Sequence, residues 1–418
     1  MTGVCHSAAS GATRSRAFVI TPAELPAEHR FLLGASAAGS FGAGIGRTAL
    51  PLLAVTTFGA TPLEVGVLTA AQTVAFIIVG LPAGAIVDRV RKRQTMIAMN
   101  LVRLTLSVAV VVLCFAGLLG IGWLIVLVTL MGGATVFFEL AALASLAHLA
   151  GRDGLLAVNG QLQGISSATS VGAPATAGGL VTIVGAALTT VGVTVGYAVT
   201  AVLLGRIRPH EERAEPRPWR QVWSETGEGL RHTFGTEAMR GISLCTVGVN
   251  LAHAARAAIL VIFLLQLGFG PGEIGVAAAA SGIGGVIAAF CSAAPVSMPR
   301  IWRVLLWTQA AAVLVPLASG ELAIVLVCAG MVASSYGATR YNIAQVTFFQ
   351  QSCPPDLLGR VSAANRFLVW ATLPAGALLG GILGAYLPVT AVLWLATAAS
   401  VASAVAGALP IHQMGTRR

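Results

Sequence analysis

The sequence predicts an all-α integral membrane protein with twelve transmembrane helices arranged as two six-helix pseudo-repeats. Three observations lead there: the solvent that the composition demands, the spacing of its apolar stretches, and a repeat at fixed offset. Of 418 residues, 56% are hydrophobic and 10% charged, with a mean hydropathy of +0.85. Such a chain lies outside the range of water-soluble domains. At about 20 residues per span, twelve spans and their short connections nearly use up the length. Aromatics make up 6%, and the apolar stretches are long and unbroken rather than alternating, which excludes a β-barrel.

The stretches able to span run over 31–58, 62–86, 94–117, 121–147, 155–181 and 185–205, then 239–268, 272–294, 303–319, 321–350, 361–384 and 388–409. Connections 59–61, 118–120, 182–184, 269–271, 320 and 385–387 hold no Arg or Lys. The alternate ones hold Arg89, Arg91, Lys92 and Arg93, then Arg152, Arg206 to Arg231, Arg300 with Arg303, and Arg360. Positive charge marks the cytoplasmic side, so both termini are expected there, and the net charge of +10 is topology rather than a nucleic-acid surface. The expected organisation is a cytoplasmic tail 1–29, a bundle 30–205, a cytoplasmic loop 206–238 with a short surface helix near 219–230, a bundle 239–410 and a tail 411–418.

The halves repeat at an offset of 209 residues: Arg47 with Arg256, Pro62 with Pro271, Glu64 with Glu273, Gly66 with Gly275, Val67 with Val276, Val87 with Val296, and Arg91 with Arg300. Shared Ala or Leu would mean little in so apolar a chain; shared Arg, Pro and Glu carry the argument. A parallel repeat places a pseudo-twofold axis along the membrane normal and a solute site between the halves. Enzymatic chemistry finds no support: there is no GxxxxGK[ST] loop, no HExxH, and six scattered cysteines form no metal or disulfide pattern. No cofactor or metal is expected. The anticipated partners are a small-molecule substrate and the bilayer, with the monomer as the working unit.

The second span ends in "GLPAGAIVDRVRKR", residues 80–93. This resembles the signature between helices two and three of the major facilitator superfamily, and the resemblance makes Gly84, Asp88, Arg89, Lys92 and Arg93 the gating motif. Arg91 stands where the family has a second glycine. "GAPATAGG" in span five is similar to the superfamily's exporter signature, with Gly172, Pro174 and Gly178 as helix-packing positions. "VFFELAALASLAHL", "LLAVNGQL" and "CPPDLLGRVSAANRFLVWATLPAGALLGG" resemble bacterial exporters related to the enterobactin exporter and to actinobacterial antibiotic and secretion-effector transporters. The resemblance implies a proton-driven exporter of a small amphipathic or anionic metabolite, antibiotic or siderophore in a bacterial plasma membrane. An uptake symporter for an organic anion and a transport-inactive scaffold or sensor are the alternatives.

Ionisable groups at bilayer depth are costly and need a partner or a wet cavity. They are Arg47, Arg103, Glu139, His253, Arg256, Arg340 and Arg366. Arg103 and Arg366 are expected to snorkel towards the charged end. Arg47, Glu139, Asn250, Arg256, Arg340, Tyr341 and Gln345 are the candidate substrate cavity. Glu139, the sole acid at that depth, is the candidate for proton coupling, either titrating or fixed by an arginine, with His253 as a second titrating group.

Overall fold

The computed structural model describes residues 27–79, 86–87, 90–207, 227, 231, 233–235, 237–291, 298–353 and 355–415. Its helices are α1 (Ala27–Phe58), α2 (Pro62–Ile78), α3 (Lys92–Phe115), α4 (Ile121–Gly205), α5 (Glu237–Gln266), α6 (Pro271–Cys291), α7 (Met298–Ala310), α8 (Ala323–Ser352), α9 (Pro355–Tyr386) and α10 (Val389–Gly415). Among the described residues nine helical segments are long and apolar enough to cross a membrane, and Pro62–Ile78 and Ile301–Leu314 are shorter apolar helices. One of the nine, Gly160–Gly205, is 46 residues long and makes two crossings, which brings the crossings to twelve.

Where three helices are expected between 121 and 205, helical turns follow one another through α4 without an intervening loop. The path nevertheless folds back: Met131 packs in one cluster with Ala173 and Ala177, and Gly192 lies close to Leu180. The second reversal turns at Gly185, whose φ of 83° suits glycine alone. The expected span 303–319 is also different. After Ala310 the helix tightens into a 3₁₀ turn, Ala311–Leu314; Pro316 has no N–H to offer the Ala312 carbonyl, which accepts from the Val315 amide at 3.1 Å instead. The surface helix near 219–230 falls almost wholly outside the described residues.

The repeat in the sequence has a structural meaning at the start of each half's second helix. Thr61 caps α2, its Oγ1 accepting from the Glu64 amide at 3.3 Å while the Glu64 carboxylate accepts from the Thr61 amide at 2.8 Å, with Pro62 in the first turn. In α6 Glu273 accepts from the Gly270 amide at 2.7 Å. Gly59 and Gly268, also 209 residues apart, turn the preceding helices at φ 62° and 84°. Gly66 and Gly275 then permit backbone contact between the halves. A Cβ on Gly66 would sit 2.6 Å from the Cα of Gly381 on α9, and one on Gly178 of α4 would sit 2.6 Å from the Cα of Gly275.

Packing follows from these two crossings. At the end bearing the uncharged turns, a single apolar core joins both halves, from Leu53, Val65, Leu124 and Val181 to Phe263, Ile274, Val327 and Leu393. At the arginine-bearing end the described residues form two separate cores. Leu32, Met96, Phe138 and Leu204 pack in one half, and Met239, Trp302, Leu305 and Val361 in the other. Among the described residues the halves are therefore joined at one end, the sealed end, and packed as separate cores at the other, the parted end. Gly178→Val should overpack the seal at a cost of about 1–3 kcal/mol, seen as a lower unfolding temperature in detergent. Gly133→Ala, with open space at its Cβ, should unfold like wild type.

Candidate functional site

The N-terminal half holds a charge cluster built from four crossings. Arg103 on α3 is 2% exposed and donates from Nη2 to Asn100 Oδ1 at 2.9 Å. Its guanidinium lies 3.9 Å from the Phe138 ring centroid and 4.7 Å from that of Tyr197, a cation–π sandwich between two limbs of α4. Asn100 Nδ2 in turn donates to the Tyr197 carbonyl at 2.9 Å. The expectation that Arg103 snorkels towards the charged end is therefore overturned: the rings and the amide hold it inside the bundle. Glu139 follows Phe138 and lies deep within the helices, yet its side chain is accessible to water. Its charged neighbours are Arg103 and Arg47, which act on it through their fields rather than by a hydrogen bond. Arg47 on α1 is also accessible. Water-filled space inside the bundle is the arrangement that makes a deep carboxylate tolerable.

The C-terminal half is organised differently. Asn250 and His253 on α5 are half-buried, and Arg256, one turn further on, is 2% exposed. Both terminal nitrogens of Arg256 are buried without a hydrogen-bond partner. The cavity expectation needs correction at Tyr341 and Gln345. Tyr341 is buried and donates to the Ile242 carbonyl at 2.8 Å, with the Trp302 ring edge-on at 5.1 Å. Gln345 is fully buried, accepting from Thr246 at 2.8 Å and donating to Asn365 at 2.9 Å. These two side chains tie α8 to α5 and α9 and face no open space. Arg340 donates from Nη1 to the carbonyl of Cys291, the last residue of α6. A cation at a helix C-terminus suits both the free carbonyl and the dipole.

In the gating motif, Gly84, Asp88 and Arg89 lie outside the described residues. Lys92 and Arg93 form the first turn of α3. In the span-five signature, Gly172 faces the Phe41 ring, and the Pro174 carbonyl lies where a Cβ on Gly275 would clash at 2.7 Å. Among the described residues no group of three or more His, Cys, Asp or Glu is placed to hold a metal.

Two six-crossing halves that share a core at one end and enclose water-accessible charges define a secondary transporter working by alternating access. The chain belongs to the Major Facilitator Superfamily, whose sequence profile matches residues 32–373. No curated protein matches it. Among solved structures it is similar to the nucleoside transporter NupG, with TM-score 0.71 and 16% identity over 92% of this chain and 98% of that one. A bacterial homologue of the iron transporter ferroportin, inward-facing, gives TM-score 0.70 and 15% identity over 91% and 98%. A bacterial homologue of the human lysosomal transporter Spinster, inward-facing and unoccupied, gives 0.67 and 14% over 92% and 95%. At such identities the likeness shows the fold alone, and these names span unrelated solutes.

The Gln345 network yields a prediction. Gln345→Leu takes the Gln345 amide away from Asn365, while Thr246 keeps the Ile242 carbonyl, and should cost about 1–2 kcal/mol of stability. Thermal unfolding in detergent checks this; the concentration of transported solute giving half-maximal flux should not move.

Proposed function

We propose that the protein is a proton-coupled exporter of a small amphipathic or anionic metabolite, antibiotic or siderophore, set in a bacterial plasma membrane with both termini in the cytoplasm. The observation that carries this reading is Glu139, a carboxylate deep among helices, reached by water, and lying in the fields of two arginines. Such a group can exchange a proton with either side as the halves rock. When it is protonated, Arg103 and Arg47 lose their countercharge, which changes what the cavity attracts. With the arginine-bearing loops in the cytoplasm, the sealed end faces outward and the parted end inward, so a solute enters from within. The segment at 172–179, and those resembling the enterobactin-exporter and antibiotic-efflux branch, support the outward direction. Residues 30–205 and 239–410 would be the rocking bodies, with 1–29, 206–238 and 411–418 in the cytoplasm, the proton gradient as drive and the monomer as the unit.

In the resemblance-based gate, Asp88 pairs with Lys92 and the start of the eleventh crossing to hold the cytoplasmic ends together in the opposite state. Asp88→Asn should slow turnover while substrate affinity stays within a few fold; a collapse of affinity with turnover preserved removes the gate assignment. For coupling, cells lacking the gene are compared with their medium by untargeted mass spectrometry, restored with wild type or Glu139→Gln. A metabolite trapped inside and missing outside identifies cargo and direction. Glu139→Gln should insert normally and lose uncoupler-sensitive efflux. A compound left unused in the medium would instead favour the anion symporter, and a phenotype untouched by Glu139→Gln the scaffold or sensor.

A further inference from the structure

Of the five arginines at bilayer depth, four have described side chains and meet their charge in different ways; the Arg366 side chain lies outside the described residues. Arg103 has Asn100 and two aromatic faces, Arg340 has the Cys291 carbonyl, and Arg47 is within reach of water. Arg256 has none of these: it is 2% exposed, and both nitrogens of its terminal fork lack a partner. A buried unpaired ion is expensive and persists where something outside the chain completes it. The C-terminal half has no acid to offer. Its carboxylates are Glu237, Glu273, Glu321 and Asp356, with none between 238 and 272 and none after 356. Glu273 is committed to the Gly270 amide at the sealed end, and Glu237 is separated from Arg256 by about 28 Å of helix. Glu139 is engaged with Arg103 and Arg47 in the other half.

We propose that Arg256 is an oxyanion seat, where the carboxylate of an organic solute bridges the two terminal nitrogens and supplies the missing countercharge. This deepens the transporter reading above and rests on it. The planar guanidinium fork matches a carboxylate with two parallel hydrogen bonds, geometry that a lone halide cannot use. Half-buried His253 stands about one turn nearer the parted end on the same helix face, a polar group on the approach to the seat. The division of labour is then asymmetric: the N-terminal half handles the proton and the C-terminal half the anion.

The test uses the purified full-length protein in detergent and follows thermal unfolding as acetate, benzoate or decanoate is titrated. The matching amides, chloride and inorganic phosphate are titrated separately. Anything that binds the folded state raises its unfolding temperature. At least one carboxylate should stabilise the wild type, its amide should not, and Arg256→Gln should weaken half-saturation roughly tenfold to a hundredfold. Without anion, Arg256→Gln should be at least as stable as wild type, since it removes an uncompensated charge. Arg256→Lys, which keeps the charge and loses the fork, should fall between them. The proposal is overturned if no carboxylate stabilises the wild type, if the shift survives in Arg256→Gln, or if chloride or phosphate gives it and the carboxylates do not. Glu139→Gln should retain the carboxylate shift. That shift together with unimpaired uncoupler-sensitive flux in Glu139→Gln would refute the coupling reading and leave the anion seat standing.

Discussion

Hydrocarbon cannot hydrate a polar group, and nearly every arrangement in this protein answers that fact. Backbone amides are satisfied within helices, and among the described residues helices alone cross. Hydroxyls turn back on their own helix: Thr56 donates to the Leu52 carbonyl, Thr129 to Ile125, Thr182 to Gly178 and Thr397 to Leu393, each at 2.7–2.9 Å. The free amides at the starts of α2 and α6 are met by Glu64 and Glu273. Charges follow the same rule by wrapping Arg103 in rings and by letting water reach Glu139.

The pseudo-repeat is preserved where it builds the scaffold and has diverged where charge is placed. Pro62 and Pro271, Glu64 and Glu273, and Gly66 and Gly275 start equivalent helices and make equivalent crossings. Arg47 and Arg256 occupy the same register, yet one is wet and the other is buried. The first half surrounds a carboxylate with cations. The second replaces such a cluster with the neutral network of Thr246, Tyr341, Gln345 and Asn365. Two bundles of like architecture thus have unlike chemistry.

Much of the fold was legible because apolar length, turn chemistry and charge asymmetry are local properties. The missed features are tertiary, with one exception. The 3₁₀ ending of the ninth crossing is traceable to Pro316, a local signal that the hydropathy outweighed. The Gly59 and Gly268 pair was in register and readable. In the site, Glu139 stood out as the only acid at depth. That Arg103 would lie between Phe138 and Tyr197 could not be read from spacing, because those three residues sit on different crossings. Tyr341 and Gln345 were misplaced for a related reason. A polar side chain on a cavity-lining helix can face either the opening or its neighbours, and periodicity in a nearly uniform apolar helix does not say which.

The glycine crossings have a mechanical consequence. Where Gly66 meets Gly381 and Gly178 meets Gly275, the bearing surfaces are main chain, with no rotamers to disengage and reset. Such a joint lets one body roll on the other with little friction from side-chain repacking. Resistance to reversal then comes from elsewhere, chiefly from parting the shared apolar core at the sealed end and wetting it. The resting posture of an empty carrier would thus be set by oil rather than by salt bridges, and should be relatively insensitive to ionic strength.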